Sequence, residues 1–418
     1  MQTNLTSLIK DTHEGKEAEA ILRSCVHCGF CLATCPTYQI LNDELDSPRG
    51  RIYLMKEVLE GKIATQKTQL HLDRCLTCRG CETTCPSGVR YGKLIDICRK
   101  VVENQVTRNI QIKTIRYVLQ KILPNPIFFT ILLKIGQATK YLLPKRIQSS
   151  IPSRARNAGL WPPARHKRKM LALDGCVQPA IAPNINAATA RILDRIGISL
   201  IKVKKENCCG AISYHLNAQQ DGLNYMRHNI DAWWPYLDNS INNGVEGIVM
   251  TASGCGVTVK EYGNYLKYDE AYADKAAQVS DLTKDISEVL NNETEKLASL
   301  FYNTKSCTKE SNLTFHSPCT LQHGLKIRGV VENILTIAGF NLILAQDDNI
   351  CCGSAGTYSI LQPQLSQQLL ENKIKALTYK QPTQIVTANI GCLTHLQSST
   401  PLIIKHWIEV LDEKLHSH

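Results

Sequence analysis

Eight of the 18 cysteines in this 418-residue chain form two runs of identical spacing. Cys25-x-x-Cys28-x-x-Cys31-x-x-x-Cys35-Pro36 recurs as Cys75-x-x-Cys78-x-x-Cys81-x-x-x-Cys85-Pro86. Three thiols set three residues apart, with a fourth just before a proline, make the ligand run of a [4Fe-4S] cluster. Where two such runs occur together, the fourth cysteine of each serves the other cluster. The expected sets are therefore Cys25, Cys28, Cys31 with Cys85, and Cys75, Cys78, Cys81 with Cys35. One-electron redox chemistry follows from the spacing. Structural zinc prefers two well-separated Cys-x-x-Cys pairs, often with histidine, and disulfides belong to oxidising compartments.

A second duplication lies downstream. Asp174-Gly175-Cys176, Cys208-Cys209-Gly210 and Ser253-Gly254-Cys255-Gly256 return in order as Ser317-Pro318-Cys319, Cys351-Cys352-Gly353 and Ile390-Gly391-Cys392. The first interval is 32 residues in both halves; the second is 46 in one and 40 in the other. Four uses are open to each set of four thiols: an iron-sulfur cluster, zinc, a redox disulfide, or stabilising a turn. Cys98 and Cys307 have no repeat counterpart and read as ordinary thiols.

The elements that must hold these cysteines can be read around them. In each half an apolar run leads into the first cysteine (Met170 to Leu173; Leu313 to Phe315). A helical pattern follows (Ala187 to Ile196; Val330 to Ala338) and stops at Gly197 or Gly339. Short apolar runs then lead into the Cys-Cys-Gly turns (Ile198 to Val203; Phe340 to Leu344) and into the last cysteines (Ile248 to Thr251; Ile385 to Thr387). Each half is thus β-α-β-α-β in outline, a small α/β domain whose parallel sheet presents cysteines at strand carboxyl ends. The first cysteines of the two ladders lie 50 residues apart, with a helical stretch near Arg51 to Leu59 between them, which predicts a helix-rich cluster domain. The fold class expected is α+β: residues 1–103 form a helix-rich two-cluster domain, 104–169 a basic amphipathic linker, and 170–305 and 306–418 two repeated α/β Cys-Cys-Gly domains. Gly29, Gly80 and Gly88 either let backbone amides approach the clusters or serve as ordinary turn glycines.

Charge is concentrated as strongly as cysteine. The net charge is +11, yet no Asp or Glu occurs from Asn104 to Leu173, and outside that segment acidic residues outnumber basic ones. Apolar residues at helical spacing (Ile112, Ile115, Val118, Leu119, Ile122) and a second apolar stretch around Phe128 to Ile135 share the segment. A basic amphipathic helix reads as a membrane-surface or partner-docking element, and the alternative is a linker that packs its apolar face on the chain's own domains. No aromatic stacking platform supports nucleic-acid binding. The chain lacks a secretory h-region near Met1 and any apolar run of the ~20 residues a spanning helix needs. A cytoplasmic chain, peripheral to the inner face of the cell membrane, is the expectation. Neither Gly-x-Gly-x-x-Gly between strand and helix nor a phosphate loop is present, so a nucleotide or flavin site has no sequence support.

The doubled ladder followed by two Cys-Cys-Gly domains resembles the iron-sulfur subunits of membrane-associated flavin dehydrogenases for glycolate, glycerol 3-phosphate and lactate, and is similar to heterodisulfide reductase subunits. The chain most resembles the glycolate oxidase (glycolate dehydrogenase) iron-sulfur subunits, through Cys25-Val26-His27-Cys28-Gly29-Phe30-Cys31, Asp46-Ser47-Pro48-Arg49-Gly50-Arg51-Ile52-Tyr53, Leu72-Asp73-Arg74-Cys75-Leu76-Thr77-Cys78, the stretch Ala252 to Gly263, and Thr387-Ala388-Asn389-Ile390-Gly391-Cys392. The resemblance implies two [4Fe-4S] clusters, further iron-sulfur in the Cys-Cys-Gly domains, and FAD only on partner subunits. Those partners would oxidise glycolate to glyoxylate, this chain would have no substrate-oxidising site of its own, and electrons would end on a membrane quinone. The alternatives are a lactate or glycerol 3-phosphate dehydrogenase subunit, or a disulfide or heterodisulfide reductase subunit working at Cys208-Cys209 and Cys351-Cys352. One departure is visible: where the family pattern closes each Cys-Cys-Gly domain with Cys-x-x-Cys, this chain has Thr258 and His395. His395 is a candidate replacement ligand, the alternative being a histidine near a turn that is only hydrogen-bonded.

Overall fold

The computed structural model describes residues 1–142, 144, 148, 151–155, 157–237, 245–302 and 312–416. Cys307, Lys145, Arg146 and Arg156 lie outside them. The amino-terminal third is built from helices His13–Ser24, Pro48–Leu59, Gln66–Asp73 and Tyr91–Gln105. Each of the first three starts where a side chain satisfies free backbone amides: Thr12 accepts from Gly15, Ser47 from Gly50, and Thr65 and Thr68 form a reciprocal capping box. Their apolar faces meet in one core of Ala18, Ile21, Leu22, Met55, Leu59, Leu72, Leu94 and Ile95, with Cys98 buried among them. No β-strand lies in this region, so the cysteine ladders are carried on the loops between helices, except Cys81, which sits in the short helix Gly80–Thr84.

The basic segment forms helices Ile110–Ile122 and Pro126–Ala138, bent at 112° to each other. No single helix among the described residues is long and apolar enough to cross a membrane. The second helix has no fully buried residue and exposes Ile127, Phe128, Ile131 and Ile135, while its Phe129 lines a cavity shared with the repeats.

Two four-stranded parallel sheets follow, with one topology. The first comprises β1 (Arg168–Ala172), β2 (Ile198–Lys202), β3 (Val245–Met250) and β4 (Thr283–Asp285) in the order β2-β1-β3-β4. The second comprises β5 (Asn312–His316), β6 (Asn341–Leu342), β7 (Gln384–Thr387) and β8 (Ile404–His406) in the order β6-β5-β7-β8. Every pairing is parallel. The strands carry near-continuous apolar residues because helices cover both sheet faces. Two features differ from the sequence reading. Each repeat has a fourth strand, β4 or β8, too short and polar to show in the hydrophobic pattern. The run Phe340 to Leu344 is strand only at Asn341–Leu342: Ile343 still donates to Leu313 O, and then the chain turns away, with Gln346 N donating to Ala376 O.

The repeats do not keep separate cores. Ile286, Leu290, Leu297 and Phe301, which end the first repeat, pack with Val331, Ile334 and Leu335 of the second; Trp407, Ile408 and Leu411, which end the second, pack with Ile185, Ala188 and Ile192 of the first. Arg191 pairs with Asp412 (2.7 Å) across this junction. Each repeat therefore lends its terminal helix to the other.

His406 fastens the same junction: its buried Nε2 lies 2.9 Å from Thr251 O, and its Nδ1 accepts from Ile408 N. Burial pushes its pKa down to about 4 from 6.5. The folded protein thus favours the neutral ring, so this contribution is complete above about pH 6.5 and lost as pH falls toward 4, about 3 kcal/mol in all. Denaturant titrations should show the parent losing stability relative to a His406→Gln variant across that window. A gap between the two that does not change with pH would overturn the assignment.

Candidate iron-sulfur sites

Each ladder begins at a helix carboxyl end. Cys25 caps His13–Ser24 and Cys75 follows Gln66–Asp73 by one residue. The backbone then takes left-handed conformations on both sides of the second cysteine: His27 (φ 57°) and Gly29 (φ 85°) flank Cys28, and Thr77 (φ 53°) and Arg79 (φ 62°) flank Cys78. Three of these four residues carry side chains, at a cost of about 1–2 kcal/mol each. The strain recurs at matched positions in both ladders because it winds three thiols toward one point. Gly88, also left-handed (φ 64°), has open space beside it.

The ladders interlock as their spacing implies. Cys25, Cys28, Cys31 and Cys85 line one small cavity, and Cys75, Cys78, Cys81 and Cys35 line another, with Cys81 touching both. Backbone amides two residues on face several of the sulfurs. Thr77 N donates to Cys75 Sγ at 3.4 Å, and His27 and Gly80 do the same for Cys25 and Cys78. The same turn recurs in the repeats: Gly353 N donates to Cys351 Sγ (3.5 Å), Ser354 N to Cys352 and Ala211 N to Cys209. Tyr91 lines both ladder cavities, and its buried hydroxyl has no partner among the described residues. A donor left without an acceptor between two groups of thiols fits sulfur acceptors that iron-sulfur groups supply. Burial pushes Cys31 up to about 11 and Cys78 and Cys81 well above the ordinary thiol range, so metal coordination is what makes the thiolate forms tolerable here.

One fixed cation offsets that charge. Arg51 is fully buried; its Nε donates to His71 O (2.7 Å), both terminal nitrogens donate to Thr37 Oγ1 (3.1 Å), and one reaches Asp46 Oδ1 (3.1 Å). It also lies 3.9 Å from Cys35 Sγ. Burial opposes its charge, but Tyr91, Cys75, Cys35 and Asp46 hold it protonated. Arg74 donates to the other oxygen of Asp46 at 2.7 Å.

In the repeats, cysteines follow strand carboxyl ends, as the sequence predicts. Cys176, Cys208-Cys209 and Cys255 follow β1, β2 and β3, while Cys319, Cys351-Cys352 and Cys392 follow β5, β6 and β7. Gly210 and Gly353 both have positive φ (91° and 89°), and a Cβ would meet Gly222 O at 2.6 Å or Ser366 O at 2.7 Å, so both Cys-Cys turns require glycine. Thiols meet in sequence within each set: Cys208 contacts Cys176 and Cys209, Cys209 contacts Cys255, and Cys319 Sγ is 3.8 Å from Cys351 Sγ. Hydrogen bonds from Cys208 and Cys255 hold Cys209 below the usual thiol range, whereas its two neighbours are pushed up.

His395 does not join the second set: its Nε2 sits against Ser366 Oγ at 3.1 Å. Instead His316, at the end of β5, lies with Cys352 and Cys392 so that one ligand atom from each falls within 4.8 Å of the others, all buried. Sequence reasoning missed His316, Tyr91 and Arg51. The signal for His316 was a polar residue closing an apolar strand three positions before Cys319.

The sets also face one another. Cys319 is the thiol that raises Cys78 most, and Cys78 in turn raises Cys351, after Cys319 and Cys352. Tyr358 Oη donates to Arg74 O (3.0 Å) and His323 Nδ1 meets Thr83 Oγ1 (3.1 Å), fixing the second repeat on the second ladder. Arg79 and Glu261 form a bidentate pair with the first repeat. A cavity of about 2090 Å³ is lined by Cys75, Cys78, Cys176, Cys208, Cys209, Cys255, Cys319, Cys351, Cys352 and Cys392, and by Ile112, Arg116, Leu123 and Phe129 of the bent helix pair and its connection.

Comparison with known proteins agrees with this geometry. A family model described as a 4Fe-4S dicluster domain matches residues 21–89, and one described as a cysteine-rich domain matches 170–260 and 313–397. The chain is 52% identical over 416 residues to the glycolate oxidase iron-sulfur subunit of Escherichia coli (strain K12), covering 99% of both chains. It is 27% identical over 419 residues to a probable glycolate oxidase iron-sulfur subunit of Bacillus subtilis (strain 168), covering 93% of this chain and 91% of that one. Lactate utilization protein A of Bacillus licheniformis is 23% identical over 245 residues, 57% of this chain and 97% of that one.

Removing the Asp46 carboxylate leaves Arg51 buried without its counter-charge. An Asp46→Ala variant should lose about 3–5 kcal/mol by denaturant titration of the iron-loaded protein, and Asp46→Asn less, because it keeps a hydrogen-bond acceptor. A loss under about 1 kcal/mol would show that the pair is not what holds the ladder region together.

Proposed function

The chain belongs to the family of glycolate oxidase iron-sulfur subunits, and on that premise we propose that it conducts electrons from partner flavin subunits, which oxidise glycolate to glyoxylate, toward a membrane quinone. Cys25, Cys28, Cys31 and Cys85 would hold one [4Fe-4S] cluster, and Cys75, Cys78, Cys81 and Cys35 the other. Cys176, Cys208, Cys209 and Cys255, and Cys319, Cys351, Cys352 and Cys392, would hold further iron-sulfur. Bound clusters supply one-electron carriers, so the two electrons a flavin takes from an alcohol can leave singly. Substrate oxidation belongs to the partners.

The observation that carries this reading is the common cavity onto which the second ladder and both repeats open. The first ladder lies outside it, at the surface: Cys28 is exposed, and Val26 and Phe30 beside it are 66% and 62% exposed. That exposure supports a partner docking there and electrons entering through the first ladder. Arg116 is buried, lines the cavity and has no ion-pair or hydrogen-bond partner among the described residues. It offers positive charge where an acceptor would gain electrons.

Localisation at the inner face of the membrane is part of the proposal. Ile127, Phe128, Ile131 and Ile135 form an exposed apolar surface within a segment devoid of acidic residues, which favours anionic lipid.

The decisive experiment mixes the anaerobically purified chain with its flavin subunits and adds glycolate, lactate or glycerol 3-phosphate separately. Glycolate alone should bleach the iron-sulfur absorbance, and a Cys35→Ser chain should show a smaller amplitude. Bleaching by lactate or glycerol 3-phosphate but not by glycolate would overturn the substrate assignment. For the membrane, the complex should sediment with vesicles containing phosphatidylglycerol and be released as salt rises. An Ile127→Asp/Ile131→Asp chain should bind at least about tenfold more weakly, since each apolar side chain contributes about 1.5–3 kcal/mol when buried. Equal binding by parent and variant would remove the helix pair from the anchor.

A further inference from the structure

We propose that His316 is an iron ligand in the second cysteine-rich repeat, completing with Cys319, Cys351, Cys352 and Cys392 a five-donor site that has no equivalent in the first repeat. The inference rests on that repeat holding iron and goes beyond it in naming a non-cysteine ligand and the asymmetry it creates.

Three observations carry it. First, His316, Cys352 and Cys392 each bring one ligand atom within 4.8 Å of the others, and all three are buried. Second, the ring is held as metal-bound histidines are held: Thr387 Oγ1, at the end of the neighbouring strand β7, lies 2.9 Å from Nδ1. With Nδ1 donating there, Nε2 carries the lone pair that binds metal. Third, the position is specific to one repeat. His316 stands three residues before Cys319, and the residue three before Cys176 is Leu173, which has no donor atom. His395, which occupies the place of the family's last cysteine, is tied to Ser366 instead.

The consequence is electronic. A neutral imidazole adds a fifth donor without the charge a fifth thiolate would bring, so the site is less negative, and its potential higher, than five thiolates would make it. The second repeat adjoins Cys78 of the second ladder, so this site would stand next to the ladder that delivers electrons.

The test uses the full-length chain, purified anaerobically with ¹⁵N-labelled histidine, alongside His316→Ala, His316→Cys and His395→Ala chains. Pulsed EPR of the reduced parent should show one strongly coupled imidazole nitrogen that persists in His395→Ala and vanishes in His316→Ala. His316→Cys should retain iron and lower the potential of one centre, while unchanged ladder signals in each variant report an intact fold. Iron in the second repeat without imidazole coupling would overturn the proposal alone. Unchanged iron content in a Cys351→Ser chain, or zinc in place of iron on these residues, would overturn it together with the iron-sulfur reading of that repeat.

Discussion

Burying sulfur that must carry negative charge is the constraint on which the rest of this structure depends. A thiol taken out of water resists ionisation, and a thiolate there costs several kcal/mol unless it is compensated. The chain compensates with short-range groups fixed by the backbone. Amides two residues beyond a cysteine turn toward the sulfur at six places in the two ladders and the two Cys-Cys turns. Arg51, locked by Asp46, Thr37 and His71 O, stands at Cys35. Left-handed His27, Thr77 and Arg79 are strained because only those conformations aim the amides inward. Iron supplies the remaining charge, so loading and folding are expected to be coupled.

Reciprocal exchange appears twice, at two scales. In the ladders the fourth cysteine of each run crosses to the other set; in the repeats the terminal helix of each crosses to the other's core. An exchanged element cannot leave without exposing its partner's interior, so neither half is expected to open alone. For a conductor this matters physically, because transfer between centres depends steeply on their separation, and Cys78, Cys319 and Cys351 must keep a fixed spacing. Hydrogen bonds from Tyr358 and His323 and the Arg79–Glu261 pair then clamp the ladder region against the repeats.

Much of this was legible in the sequence because it is local. Cysteine spacing sets the ladders, and glycine-terminated apolar runs set β1 to β3 and their counterparts. The helix at Pro48–Leu59 and the bent basic pair show in their periodicity. What was not legible depends on packing between distant segments. Thr283–Asp285 and Ile404–His406 become strands only because β3 and β7 offer free edges, and the shared core of Phe301, Leu335, Ile192 and Trp407 has no local signature. The pattern made His395 the natural substitute for an absent cysteine, yet the helix Ile390–Gln397 turns it to Ser366, whereas β5 delivers His316 to the thiols. A strand end aims its side chains by sheet register, a contact across β5 and β7 that no single-segment pattern contains.

Direction in this molecule needs no moving part. Under the proposed function, entry at an exposed Cys28 and interior delivery at Cys78 would separate a partner's face from the cavity, with the interlocked ladders between them. Potential is then set by what surrounds each sulfur. The first ladder has Cys28 exposed at the surface, whereas Cys78 and Cys81 are half-buried, and burial raises both well above the ordinary thiol range. Burial alone disfavours the more negative, reduced form there, so the second ladder would be a barrier unless positive charge offset it. Arg51 beside Cys35, Arg99 donating to Cys75 O (2.7 Å), and Arg116, which lines the cavity without a partner among the described residues, lie on that side of the molecule. Buried guanidinium groups thus do for the reduced state what water does at the surface, and this explains why cations whose burial is costly are retained around the inner ladder.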